Sequence, residues 1–218
     1  MNYPPIDHSK YAYTRDQDRP WSTDLRHIDI LYRLSLALPP DSLIVEIGCW
    51  RGATATAYLE AMRYRQDLRL RLYDIKLRKQ LKHLVWKSGP NVRDRVEIVD
   101  QPCWHDLSDP AALAFIDADH GWPALADLAS CLAVGCRVIA AHDVHYDSPE
   151  AHGSRLLGDI LRASHYRRYY EDYEVRPGEW TERGFIVSWL LADADWVLPA
   201  LPPLTPACTN VPLAGVPV

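Results

Sequence analysis

The chain has 218 residues, 48% of them hydrophobic, and a formal net charge of −5. That length suits one sizeable domain with appendages and leaves room for a real core. The acidic balance gives no electrostatic reason to expect nucleic acid as a partner, and no apolar run approaches the roughly 18 residues of a membrane span.

Residues 1–20 are polar and tyrosine-rich and read as a loosely ordered arm. Its start, Met1-Asn-Tyr-Pro-Pro-Ile-Asp7, has neither the basic nor the apolar segment of a signal peptide. Ser22-Thr-Asp24 opens a helix in which Leu25, Ile28, Leu31, Leu34 and Leu38 recur at steps of three and four, and Pro39-Pro40 stops it. Residues 43–46, Leu-Ile-Val-Glu, form an apolar run that ends in an acid, as expected of a parallel strand covered on both faces. The loop Gly48-Cys-Trp-Arg-Gly52 then opens onto an amphipathic helix from residue 53 to about 62. Its first glycine permits a tight turn, and the second lets the backbone approach a ligand at a helix N-terminus. The dinucleotide fingerprint Gly-x-Gly-x-x-Gly is absent, and a plain turn in an α/β protein would read the same way.

Residues 68–73 alternate Leu with Arg and end at Asp74, which predicts a second strand. Eleven Lys or Arg lie between Arg63 and Arg95 against Asp67, Asp74 and Asp94, so the remainder is strongly acidic. Leu77, Leu81, Leu84 and Val85 make a helical apolar stripe beneath those charges. A solvated helix face explains them; a docking patch for an anionic partner is the other reading. Residues 95–99 predict a third strand, followed by Asp100-Gln101, and residues 112–116 a fourth, followed by Asp117-Ala-Asp-His120. Pro123 suits a first helical position, with Leu125, Leu128 and Leu132 facing inward and Gly135 ending the helix. Residues 137–141 are a fifth strand closed by His142-Asp143. A helix over 154–163 follows, then strands over 166–175 and 184–191 joined by Arg176-Pro-Gly-Glu-Trp180. Beyond Trp196 the prolines at 199, 202, 203, 206, 212 and 217 predict extended packing or disorder. The five cysteines, Cys49, Cys103, Cys131, Cys136 and Cys208, are odd in number and form no C-x-x-C pair. They read as reduced thiols of a cytoplasmic protein, not as a zinc knuckle.

Strands alternating with helices, closed by a hairpin, specify an α/β chain with a doubly wound, mostly parallel sheet. Ligands of such sheets bind outside the carboxyl ends of the strands. Five consecutive predicted strands end there in Glu46, Asp74, Asp100-Gln101, Asp117-x-Asp119-His120 and His142-Asp143. Asp74 can accept both hydroxyls of a ribose or cap a helix.

The acid and two glycines of residues 46–52 resemble the first motif of the class I S-adenosylmethionine (SAM)-dependent methyltransferases. Phe115-Ile-Asp-Ala-Asp-His120, a helix carrying Asp127, Gly135 and Ala141-His-Asp143 are similar to the metal-dependent O-methyltransferases acting on catechols and caffeoyl coenzyme A. They also resemble the macrocin O-methyltransferase and cephalosporin hydroxylase group. The likeness covers residues 41 to about 191 and implies a Rossmann-like seven-stranded sheet with one antiparallel strand. It divides the chain into an arm and helix (1–40), a SAM-binding domain (41–196) and a proline-rich tail (197–218). It assigns Glu46, Gly48, Cys49, Trp50, Gly52, Asp74, Gln101 and Asp117 to the cofactor, with Trp104 against the adenine.

The same resemblance assigns Asp117, His142 and Asp143 to a divalent cation, magnesium or manganese. The catechol type has Asp-Asn where this chain has His142-Asp143. Imidazole suits manganese, iron or zinc better than magnesium, unless His142 turns away and leaves two carboxylates. In a metal-free reading, Asp117 and Asp143 contact cofactor and helix ends. His120 stands where the caffeoyl coenzyme A type has lysine and is the first choice of general base, with His142 and His145 as alternatives. Trp50 and Trp122 either wall an acceptor pocket or pack under loops. The arm from Tyr3 to Trp21 is a candidate lid. The implied activity is methyl transfer to oxygen of a small-molecule acceptor, with no membrane or nucleic acid partner; a homo-oligomer is compatible. A metal-dependent hydroxylase or hydrolase, and a non-catalytic cofactor-binding protein, are the other readings.

Overall fold

The computed structural model describes residues 3–11, 24–118, 120–145, 151–174 and 183–203. Its centre is a seven-stranded sheet of order β3-β2-β1-β4-β5-β7-β6. The strands are β1 (Leu43–Ile47), β2 (Arg69–Tyr73), β3 (Val96–Val99), β4 (Leu113–Ile116), β5 (Val138–His142), β6 (Arg167–Glu174) and β7 (Arg183–Leu190). The first five run parallel, while β7 is antiparallel to both of its neighbours, β5 and β6. The expected doubly wound sheet with one antiparallel strand is what the chain forms.

Helices cover both faces, which is why β1, β4 and β5 are buried throughout. On one face lie α1 (Leu25–Ala37), α2 (Ala55–Tyr64), α3 (Lys79–Lys87) and α4 (Pro90–Arg93). On the other lie α5 (Pro123–Ala133) and α6 (His152–Ala163). Asp24, the last residue of the predicted Ser-Thr-Asp start, caps α1 by accepting from the Arg26 N–H at 2.9 Å. The basic segment behaves as the stripe predicted, with Leu81 and Val85 of α3 buried.

Three expectations are corrected. In α5 the buried residues are Ala124, Asp127, Leu128 and Cys131, and Leu132 is exposed, because the stripe of this helix starts one residue earlier than the leucines suggest. The described part of the arm, residues 3–11, is packed. Ile6 is buried, the Tyr32 hydroxyl donates to the Pro4 carbonyl at 2.9 Å, His8 Nε2 meets Asp29 at 2.9 Å, and the Tyr11 hydroxyl donates to Glu60. These contacts lie along α1 and α2; residues 12–23, the rest of the candidate lid, fall outside the described residues. Past Trp196, a short helix α7 (Ala194–Val197) and a 3-10 turn (Leu198–Ala200) bury Val197, Ala200 and Leu201 in the α1 side of the core. The rest of the tail from 204, and the predicted turn at 176–180, are also outside the described residues.

Candidate active site at the strand exits

Glu46 points to the α1–α2 face, where it is fully buried. The Thr54 hydroxyl donates to one carboxylate oxygen, and the other has no hydrogen-bond partner among the described residues. Burial pushes its pKa up to about 8; the Thr54 hydrogen bond opposes that, and the neighbouring Asp117 and Asp74 add to it.

The loop that follows is held by its own chain. Gly48 has φ +89°, and a Cβ there would lie 2.3 Å from the Ala118 Cα, so the glycine lets β1 pass against the exit of β4. Gly52 has φ +90°, and its missing Cβ would lie 2.8 Å from a Leu84 methyl and 3.0 Å from Leu81. The side of Gly52 where a side chain would stand thus seats α3. The Cys49 side chain is buried and donates to the carbonyls of Tyr73 (3.4 Å) and Glu46 (3.7 Å), and burial holds the thiol well above its usual pKa. Cys49 therefore has its backbone to offer a ligand, not its thiol. Trp50 sits at φ +46°, half exposed, with the Arg78 guanidinium 4.0 Å over its ring.

Asp74 accepts the Trp50 N–H on one oxygen and the Lys76 N–H on the other, both at 2.7 Å. It thus ties the β1 loop to the β2 exit and stays half-buried at the mouth. Gln101 is half-buried just past β3, and Trp104 is exposed beside it on the 3-10 turn Cys103–His105. Trp122 is exposed and edge-on to His152 at 4.9 Å, so it is not packed under a loop.

At β4 and β5 the predicted residues converge. Asp117, His120 and Asp143 each bring one ligand atom within 4.8 Å of the others. His120 Nε2 lies 3.0 Å from Asp143 Oδ2, and that hydrogen bond raises the His120 pKa against the opposing effect of burial. His142 Nδ1 is 3.2 Å from Asp143 Oδ1 and 3.9 Å from Asp117 Oδ1. Burial pushes the Asp143 carboxyl up, but His142 and His120 beside it prevail and hold it well below the usual range. Asp143 is a non-glycine residue at φ +57°, a backbone conformation retained where the surroundings over-determine it. Its Oδ1 is buried and faces His142 Nδ1. His145 turns away toward Arg162 Nη2 (2.7 Å) and Glu171 (3.4 Å). Asp119 is outside the described residues.

One residue of this cluster was not legible as a site residue. His27, at the start of α1, is buried with Nδ1 3.2 Å from His142 Nε2. The available signal was a histidine inside the apolar stripe of a helix, four residues before Leu31 and seven before Leu34.

No family model matches the chain, and no curated protein matches it. Solved structures do. The O-methyltransferase TomG from Streptomyces achromogenes, involved in tomaymycin synthesis and solved in complex with SAM, is similar with a TM-score of 0.63 and 18% identity over 82% of this chain and 86% of that one. This chain shares its fold. An O-methyltransferase from Bacillus cereus, in complex with SAH, gives a TM-score of 0.62 and 16% identity over 82% and 86% of the two chains. An rRNA methylase from Streptococcus thermophilus gives 0.54 and 13% over 80% and 98%. The methyltransferase sheet expected from residues 46–52 and 115–143 is thus the fold of the chain, at identities that speak for fold alone. Among the described residues no helix is long and apolar enough to cross a membrane.

Proposed function

We propose that the chain is a SAM-dependent methyltransferase that methylates an oxygen of a small molecule, with a divalent cation at Asp117 and Asp143. The observation that carries this reading is convergence. Glu46, Asp74, Asp117 and Asp143 leave β1, β2, β4 and β5, which are adjacent in the sheet, at one edge. TomG and the Bacillus cereus enzyme, which share the fold, were solved with SAM and SAH.

The residues present fit such a donor. The free oxygen of Glu46 suits the α-ammonium of its methionine part. Asp74, already oriented by two N–H groups, suits the ribose hydroxyls, and Gln101 and Trp104 lie where an adenine would follow. Gly48, Cys49, Trp50 and Gly52 contribute backbone and the Trp50 face. Asp117, Asp143 and His142 would hold the cation, whose charge favours loss of a hydroxyl proton from the acceptor.

Methyl transfer from a sulfonium is an in-line displacement, so placement supplies much of the acceleration. His120 is the base in this reading. Its Nε2–H is directed at Asp143, which leaves Nδ1 to take the acceptor's proton. His120 is 40% exposed at its side chain and so can reach an incoming hydroxyl. Trp50 and Trp122 offer exposed faces to a flat or sugar-like acceptor.

Calorimetry with SAH is the direct test. Wild type should bind, and Glu46→Ala combined with Asp74→Ala should not. Absence of binding by wild type, or equal binding by the double variant, rejects the reading. Incubation with SAM and a panel of phenols, catechols and sugars should give a product heavier by one methylene; gain of an oxygen or of water would mean hydroxylation or hydrolysis.

A further inference from the structure

The loop that carries His120 is gripped from outside the sheet. α6 starts at His152, and its N-cap residue, Ala151, makes no side-chain capping bond. The first N–H groups of a helix lack intrahelical partners, and a capping side chain normally accepts from the second or third of them. In α6 the main chain of the active-site loop takes that place. The His120 carbonyl accepts from the Gly153 N–H at 2.9 Å and from the Ser154 N–H at 3.1 Å. Gly153 and Ser154 are the second and third residues of the helix, and both are buried. The positive end of the helix dipole favours a carbonyl oxygen there. Beside these bonds, Trp122 of the same loop meets His152 edge-on at 4.9 Å.

Gly153 permits this approach. A Cβ on it would lie 1.7 Å from the Gly121 carbonyl oxygen and 3.0 Å from that of His120, main-chain atoms that no side-chain rotation can move aside. Further along the same helix, Gly158 meets the residue that follows Asp143. Its missing Cβ would lie 2.9 Å from the Cβ of Val144. Val144 is buried, and its N–H donates to the Gly184 carbonyl of β7 at 3.2 Å. One helix thus holds both partners of the 3.0 Å contact between His120 Nε2 and Asp143 Oδ2. It holds His120 by its own carbonyl and Asp143 through the next residue in the chain. Five residues of helix separate the two grips by about 7.5 Å along a rigid axis.

We infer that α6 is a strut for the base, and that Gly153 and Gly158 are positioning residues that keep His120 and Asp143 at hydrogen-bonding distance. The Nε2–H of His120 then stays on Asp143, and Nδ1 stays open to the acceptor. This rests on the reading of His120 as base. A group misplaced by about 1 Å, by a change remote from the chemistry, can cost roughly 10²-fold in rate.

The test uses the full-length chain and the NMR signals of its histidine ring nitrogens, so it needs no acceptor. The His120 signals are those lost in His120→Gln. Neutral His120 in wild type should be a single tautomer with its proton on Nε2. A coupling through the hydrogen bond should join the Gly153 nitrogen to the His120 carbonyl carbon. Gly153→Ala should lose that coupling and turn the single tautomer into a mixture. Gly158→Ala should keep the coupling and still give the mixture, because it acts from the Asp143 side. Leu161→Ala removes a buried side chain of the same helix away from both grips, and should leave the tautomer unchanged. SAH affinity reports whether each variant is folded. On any acceptor that the panel yields, Gly153→Ala should lower kcat about 10²-fold with SAH affinity within a factor of a few. Absence of the coupling in wild type, or a tautomer mixture there, overturns the inference even if no variant folds. An unchanged tautomer in both glycine variants, or an equal mixture in Leu161→Ala, overturns it as well. An undiminished methyl-transfer rate in His120→Gln removes the base itself and leaves the strut geometry standing.

Discussion

Glu46 makes the sharpest prediction, because its carboxyl is buried in the fold and hydrated in the unfolded chain. Its pKa is about 8 in the fold against an ordinary 4.5. A group whose folded pKa is raised favours the fold fully below the unfolded value, and that contribution is lost as pH rises through the folded one. The window is therefore pH 4.5 to 8, with stability falling as pH increases. At about 1.4 kcal/mol per pH unit, wild type should lose roughly 3–4 kcal/mol of this contribution between pH 5 and pH 8. Glu46→Gln keeps an acceptor for the Thr54 hydroxyl and cannot ionise, so any constant cost of the amide shifts its curve without tilting it. Urea unfolding at each pH should show the variant gaining on wild type by that amount across the window. A ligand whose ammonium sits beside Glu46 should draw off its proton. SAH binding at pH 7 should then release close to one proton in wild type and none in the variant, read from the dependence of calorimetric enthalpy on buffer ionisation heat. Parallel stability curves for the two proteins would refute the assigned burial cost, and equal proton release would refute the placement of the ammonium.

Three further outcomes follow from the geometry. Gly48→Ala should be far more disruptive than Gly135→Ala by urea unfolding: the first drives a Cβ to 2.3 Å from the Ala118 backbone, whereas the second meets open space and carries only the strain of φ +77°, about 1–2 kcal/mol. Asp74→Ala should weaken SAH binding roughly 10–100-fold, the range expected for losing a charged hydrogen-bond acceptor. His120→Gln should lower the methyl-transfer rate by about 10²–10⁴-fold while leaving SAH affinity within a factor of a few, the signature of a lost general base.

The strand exits were legible because strand-like runs close on polar residues, and Glu46, Asp74, Asp117 and Asp143 all lie at the carboxyl ends of strands. The glycines were legible as glycines, but the reasons were not. Both Gly48 and Gly52 answer to other parts of the chain, the β4 exit and α3, and pairings across 70 and 32 residues leave no local trace. Leu132 misled because a leucine on a helix was read as core, whereas the buried stripe of α5 runs through Asp127 and Cys131, which look polar or neutral in sequence. Cys49 was assigned to the cofactor by its place in a loop, and only the fold reveals that its side chain fills the core.

His27 is the instructive omission. The contact it makes with His142 spans 115 residues, and its ring stacks on Phe185 of β7, which enters antiparallel between β5 and β6. Side chains alternate along a strand, so moving the β7 register by one residue would turn Phe185 to the α5–α6 face and leave His27 without its stacking partner. The same slip would take Asp172 out of line with His142. An antiparallel insertion therefore does more here than close the sheet. It brings Phe185 and Asp172 into one row with His142, beneath the His27 ring. The acids that announce the site lie on the parallel strands, but the imidazole that packs behind His142 comes from α1 and rests on the hairpin.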